Sequence, residues 1–330
     1  MKDRKKDHLE LALAARIGKE ELDRRFYFEP LLSKHPTTIS EPFEFLGKKM
    51  NAPLWISSMT GGTNEAFTIN KNLAKACREF GLGMGLGSCR KLLENNDDIK
   101  DFDLRKIIGE ELPFYANLGI AQVEEMVLND DVTPIEKLVS RLRADGLIIH
   151  VNPIQEWIQP EGNRLTQPPI DTIKSLIEMT QLRVIVKEVG QGMGPQSLRE
   201  LLELPLEAIE FGAFGGTNFV KLESIRDRVN KKLYFDSLSR TGHDAFEMTD
   251  YVNDIIDEGI SVQCKQAIIS GGIRSFLDGY YLTERCKMPA IYGQASELLG
   301  YARHSYQELR NYIRAQIEGF NLARAYLKVK

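Results

Sequence analysis

Cysteine is scarce in this chain, and the little there is carries no pattern. Cys77, Cys89, Cys264 and Cys286 are the four cysteines in 330 residues. They form no CxxC pair and no His/Cys spacing of a zinc site, so no zinc module is expected. Apolar runs are short as well. None approaches the ~18 residues that span a bilayer, and the opening MKDRKKDHLE is too polar for the apolar core of a secretory signal. The expectation is a cytoplasmic protein with reduced thiols and no membrane contact. Charge of one sign is also missing. A net −4 without a long basic tract argues against a nucleic-acid binder, yet leaves room for a local pocket that takes a small anion. No GxGxxG with a downstream acid follows a strand pattern, which disfavours a Rossmann dinucleotide site.

What the chain does have is alternation. Its 42% hydrophobic and 27% charged residues describe an ordinary globular protein, large for one domain unless the fold is a closed α/β barrel. From Pro53 onward, short apolar runs alternate with helical patterns at intervals of roughly 25 to 35 residues. Eight candidate strands run over Pro53 to Ser58, Leu82 to Gly87, Pro113 to Gly119, Gly146 to Asn152, Arg183 to Gly190, Glu207 to Gly216, Val262 to Gly272 and Pro289 to Ser296. Most are apolar throughout, as parallel strands are when helices cover one face and a barrel interior the other. The predicted fold is α/β: a single TIM (β/α)8 barrel over residues 51–300, after an N-terminal arm and lead-in layer (1–50) and before a C-terminal helix (301–330). An excursion from Phe219 to Gly259 has room for an insertion besides its helix. The apolar spacing of the C-terminal helix suits core packing or a subunit interface, and a homo-oligomer is expected.

In such barrels the chemistry gathers at the carboxyl ends of the strands, where this sequence places its polar groups. The fourth candidate strand ends in His150 and Asn152, breaks at Pro153 and runs into Gln155 and Glu156. A lone strand-end histidine is usually an ordinary satisfied side chain. Its spacing to Asn152, Gln155 and Glu156 marks this one as a site residue, unlike His35, His243 and His304. After the first strand, the backbone of Ser58, Met59, Thr60 and the following glycines suits an anion or the edge of a flat ring, or else simply a tight turn. The second strand ends in Ser88 and Arg90, with Cys89 between them reading as a small unreactive residue, and the third offers Asn117. Lys187 lies in the apolar fifth strand. A buried ammonium there is costly, so it pairs with a carboxylate or faces a ligand's negative charge. Thr217 follows the sixth strand. Gly271 and Gly272 follow the seventh, and Gln294 with Ala295 the eighth, the two loops between which barrels commonly hold a phosphate. A phosphate end, with Lys187, Asn117, Ser88 and the SMTGG backbone around a ring-sized space, reads as a flavin mononucleotide (FMN) site.

Eight stretches carry a family resemblance: RKKDH (Arg4 to His8), SMTGG, GLGSCR, ANLG, HVNPIQEWIQPEGNR, VKEVGQGM, GGTNFVKLE and SGGIR. In this order they resemble the type 2 isopentenyl-diphosphate delta-isomerases, FMN-dependent enzymes of isoprenoid synthesis. The resemblance implies isomerisation of isopentenyl diphosphate to dimethylallyl diphosphate by a 1,3 proton shift. Reduced FMN would serve as acid and base, Mg2+ would hold the diphosphate, and NADPH would be the reductant. It implies that Arg4 and Lys5 hold the diphosphate from the arm, with Ser88, Cys89 and Arg90 nearby. Gln155 would approach the isoprene part, with His150 and Asn152 in the same pocket, and Glu156 would bind Mg2+. Ser58, Met59, Thr60, Ser88, Asn117, Lys187, Thr217, Gly271, Gly272, Gln294 and Ala295 would hold FMN. Two stretches depart from the family. Gly212, Ala213 and Phe214 stand where many members carry Ser-Gly-Lys, and YFDSLSRTGHDAFEM replaces a common Trp-Gly segment. Two other functions fit less of the pattern: an FMN oxidoreductase of the hydroxy-acid oxidase or dihydroorotate dehydrogenase type, and a non-catalytic prenyl-diphosphate or flavin binder.

Overall fold

The computed structural model describes residues 4–36, 42–58, 65–94, 99–226 and 232–330. Its strands are β1 (Phe26–Phe28), β2 (Phe43–Phe45), β3 (Lys48–Met50), β4 (Leu54–Ile56), β5 (Gly83–Gly85), β6 (Phe114–Gly119), β7 (Gly146–Val151), β8 (Val184–Glu188), β9 (Ala208–Glu210), β10 (Ala267–Ser270), β11 (Ala290–Gln294) and β12 (Leu327–Val329). The eight from β4 to β11 form a closed barrel of parallel strands, completed where Gly293 of β11 pairs with Trp55 of β4. Each lies inside one of the apolar runs of the sequence, so the expected (β/α)8 barrel is what the chain builds.

Strand side chains alternate between two packed layers. Facing inward, Trp55, Tyr115, Ile148, Ile185, Ala208, Ile268 and Ile291 cluster with Phe45, Leu46 and Met50. Those last three belong to the β2–β3 hairpin, which plugs the barrel. Leu46 turns at the hairpin tip with φ +51°. Its N–H donates to Gln266 Oε1 at 2.8 Å and its carbonyl accepts from Arg183 Nη1 at 3.2 Å. Arg183 and Gln266 directly precede β8 and β10, so the plug seals the amino ends of the strands and leaves the carboxyl ends for chemistry. Facing outward, a larger apolar cluster joins the strands to the surrounding helices.

Sequence chemistry sets the helix limits. Helix Ala66–Phe80 stops at Gly81, whose φ of +66° suits a residue without a Cβ. Helices Thr133–Leu142 and Pro169–Met179 carry proline in their first turn, where no N–H is missed. Asp244 caps helix Ala245–Asp257 by accepting from the N–H of Phe246 and of Glu247, a contribution of about 1 kcal/mol.

The C-terminal region differs from the expected single helix. Helix Ser296–His304 follows β11, helix Tyr306–Tyr326 packs beside it, and the last residues form β12, antiparallel to β1 with Phe26 opposite Val329. An alternating Leu-Lys-Val run favours a strand over another helical turn. Within the excursion lie helix Phe219–Arg226, a 3-10 segment Lys232–Arg240 and helix Ala245–Asp257. His243 ties it to the barrel rim. Its N–H donates to the Gln191 carbonyl at 2.7 Å and its own carbonyl accepts from Phe214 N at 2.9 Å. Glu188 fixes that rim loop, one carboxylate oxygen accepting from the N–H groups of Gly190, Gln191 and Gly192 at 2.7, 2.6 and 2.8 Å. No described helix is long and apolar enough to cross a membrane.

Candidate active site

Two cavities adjoin at the carboxyl end of the barrel, of about 540 and 230 Å³, and Ser58, Lys187, Val189 and Phe219 line both. The larger lies among the loops after β4, β9, β10 and β11. Gly271 has φ +88°, and a Cβ there would overlap the Ala213 carbonyl oxygen, so the backbones of the two glycine loops pack directly on each other. Arg274 and the start of helix Ser296–His304 border the same cavity. Gln294 is held at both ends of its amide. Nε2 donates to the Ile273 carbonyl at 3.2 Å, and Oε1 accepts from the Tyr312 hydroxyl at 3.1 Å. Two buried hydroxyls on this wall, Ser57 Oγ and Ser58 Oγ, have no partner among the described residues. Lys187 Nζ donates to the Glu188 carbonyl at 2.7 Å. An ammonium has three N–H groups, so this bond leaves donors for the cavities the side chain lines.

The smaller cavity takes its walls from β6, β7 and the short helix Pro153–Ile158, which proline opens at its first position. Asn152 sits just before that helix and bridges its first turn, Nδ2 donating to Gln155 Oε1 at 3.0 Å and Glu156 Oε1 at 3.2 Å. Glu156 Oε2 accepts from Asn163 N at 2.8 Å. The Gln155 amide donates to Glu223 Oε1 at 3.3 Å, and the Arg226 guanidinium grips both oxygens of that buried carboxylate at 2.8 and 2.9 Å. Gln155 is thus held with its oxygen toward Asn152 and its nitrogen toward Glu223.

His150 is locked through Asn117. The Asn117 amide donates to the Leu86 carbonyl at 2.9 Å, which leaves its Oδ1 to accept from His150 Nδ1 at 2.8 Å. The imidazole proton therefore sits on Nδ1, and Nε2 remains an acceptor. Burial first, then the positive charge of Lys187, lowers the ring's pKa to about 4. Between about pH 4 and 6.5 the unfolded chain takes up a proton that the folded ring refuses, so stability rises with pH through this window. On acidification from pH 6.5 towards 4 the loss approaches about 3 kcal/mol. A His150→Gln variant should show a flatter melting temperature across the same range, and parallel curves for the two proteins would disprove the assignment.

Among the residues expected from sequence, Ser58, Ser88, Arg90, Asn117, His150, Asn152, Gln155, Glu156, Lys187, Thr217, Gly271, Gly272, Gln294 and Ala295 line one cavity or both. Met59 and Thr60 lie outside the described residues. Cys89 does not line either cavity with its side chain: its thiol is fully buried, donates to the Gly87 carbonyl and is pushed up to about 12 by burial. Arg4 and Lys5 stand apart from the cavity linings. They lie on helix Arg4–Leu11, which buries none of its residues, and neither lines the two cavities. Sequence reasoning missed Gln122, Phe219, Glu223, Arg274 and Tyr312. Phe219, Glu223 and Arg274 stand within or beside quoted motifs, whereas Tyr312 comes from a helix whose spacing signalled only packing.

No protein-family model matches this chain. Curated relatives do. It is 35% identical over 308 residues to the isopentenyl-diphosphate delta-isomerase of Rickettsia typhi, covering 90% of this chain and 85% of that one. It is 36% identical over 307 residues to the Rickettsia canadensis protein of the same name, again covering 90% and 85%. Against the Rickettsia peacockii protein it is 33% identical over 326 residues, covering 96% and 90%. Among solved structures, the flavin-binding domain of baker's yeast flavocytochrome b2 superposes with a TM-score of 0.62 at 12% identity, covering 91% of this chain and 72% of that one. A mandelate oxidase mutant superposes with a TM-score of 0.53 at 12% identity, covering 93% and 88%. At that identity the likeness speaks for the barrel alone.

Proposed function

Since this chain belongs to the type 2 isopentenyl-diphosphate delta-isomerase family, we propose that its two adjoining cavities hold FMN and isopentenyl diphosphate side by side. The protein interconverts isopentenyl and dimethylallyl diphosphate. The observation that carries the division is the shared wall of Ser58, Lys187, Val189 and Phe219, which puts contents of one cavity against contents of the other. The larger cavity suits FMN. The Ser57 and Ser58 hydroxyls, without a partner among the described residues, line it, the glycine loops admit backbone N–H groups to a phosphate, and Arg274 adds a cation.

The reaction adds a proton to a terminal methylene and removes one from the carbon next to the diphosphate-bearing one. An unactivated alkene is a poor base, so carbocation character develops and needs nearby negative charge and a strong acid. Reduced FMN supplies ring nitrogens that serve as acid and base, with NADPH as the source of the reducing equivalents. Everything else is positioning. Ser88 and Arg90 bind the diphosphate, and Lys187 holds negative charge where the cavities meet. Glu156 takes Mg2+. Among the described residues no three His, Cys, Asp or Glu side chains gather for a metal, so Glu156 would be the protein's carboxylate for an ion that neutralises diphosphate charge. Gln155, held between Asn152 and Glu223, meets the isoprene part. Neutral His150 offers Nε2 as a hydrogen-bond acceptor on the same cavity wall. Exposed Tyr27, Phe28, Leu31 and Leu32 beside the β1–β12 ribbon favour association with further copies of the chain.

The test is purification and assay. The expected preparation is yellow and converts isopentenyl diphosphate only when its flavin is reduced. A preparation that stays colourless and inactive after added FMN overturns the proposal.

A further inference from the structure

We propose that Gln122 is a further substrate-positioning residue, its side-chain amide donating to a diphosphate oxygen in the smaller cavity; this rests on the diphosphate substrate proposed above. Gln122 stands in the first turn of helix Ile120–Leu128, which starts as β6 ends. The side chain is 6% exposed and lines the cavity, yet its Nε2 is buried with no partner among the described residues. An unmet buried donor costs about 1–3 kcal/mol, a cost that a ligand acceptor arriving in the cavity would remove.

Three further observations choose the acceptor. A Cβ built on Gly119 would fall 2.6 Å from Gln122 Oε1 and 2.9 Å from His150 Nε2, which sets the amide alongside the imidazole. Gly119 gives helix Ile120–Leu128 no side-chain cap, so the positive end of the helix lies beside the same amide. Ser88 and Arg90 line the same cavity as further donors. Donors and positive potential match an oxygen-rich anion and gain nothing from a hydrocarbon, which separates the job of Gln122 from that of Gln155.

Gln122→Glu and Gln122→Met are compared with the wild type, each saturated with FMN and Mg2+, by calorimetric titration with inorganic pyrophosphate and by steady-state assay. Gln122→Glu, which turns the donor into a like charge, is expected to weaken pyrophosphate at least ~10-fold, and Gln122→Met several-fold. KM for isopentenyl diphosphate should rise in step while kcat changes less than about threefold. Flavin affinity should stay at the wild-type value, and the melting temperature of Gln122→Met should not fall below that of the wild type. Variants that bind pyrophosphate like the wild type, or that lose flavin and pyrophosphate together, overturn the role of Gln122 alone. A wild type that binds neither pyrophosphate nor isopentenyl diphosphate overturns the functional proposal with it.

Discussion

A Glu156→Gln variant is expected to lose at least ~10²-fold in turnover while keeping its fold and its flavin. Glu156 is 4% exposed. Its two oxygens accept from Asn152 Nδ2 and from Asn163 N. Glutamine keeps the volume and one acceptor for Asn163, but it turns an NH2 toward the NH2 of Asn152 and removes the negative charge. A divalent cation loses its protein carboxylate, and the diphosphate loses the ion that holds it. Turnover followed across a Mg2+ titration, beside the melting temperature, checks this. Full activity at low Mg2+ would show that Glu156 holds no metal.

Lys187→Met is expected to weaken FMN binding by a similar factor, at least ~10²-fold, at almost unchanged stability. Methionine matches the lysine stem, and the one hydrogen bond given up runs to the Glu188 carbonyl at 2.7 Å. Since one charge lines both cavities, its loss should be felt in both. A second signature separates this from a packing defect. The Lys187 charge helps to lower the His150 pKa, so in the variant that pKa rises toward 6.5 and the stability lost on acidification shrinks. NMR titration of the imidazole and flavin retention on gel filtration read the two effects. Unchanged flavin affinity would assign Lys187 to structure.

Most of the barrel was legible because period and composition state it directly: a run such as RVIVKEVG fits a parallel strand buried on both faces and little else. The strand-end residues followed from fold logic, since whatever follows such a strand lies at the open end. What stayed hidden depends on the direction of single side chains. Cys89 lies between Ser88 and Arg90 and alone turns into the core. Gln122 was one polar residue among many on a helix, and only its phase relative to β6 buries it against His150. Tyr312 reaches Gln294 from the second helix after β11, and no local pattern encodes that contact. Arg4 and Lys5 show the opposite case. A motif can be read without ambiguity while the helix that bears it buries none of its residues in this structure.

Closure of the barrel by β11 on β4 also orders events in time. The pairing joins Gly293 to Trp55, and the larger cavity takes its lining from Ser57 through to Tyr312. A chain emerging from the ribosome folds its early segments first, but no nascent fragment short of Tyr312 owns a complete wall. Ligand uptake therefore belongs to the finished polypeptide. A message truncated before Tyr312 would yield a protein with all eight barrel strands encoded and an incomplete wall around the larger cavity.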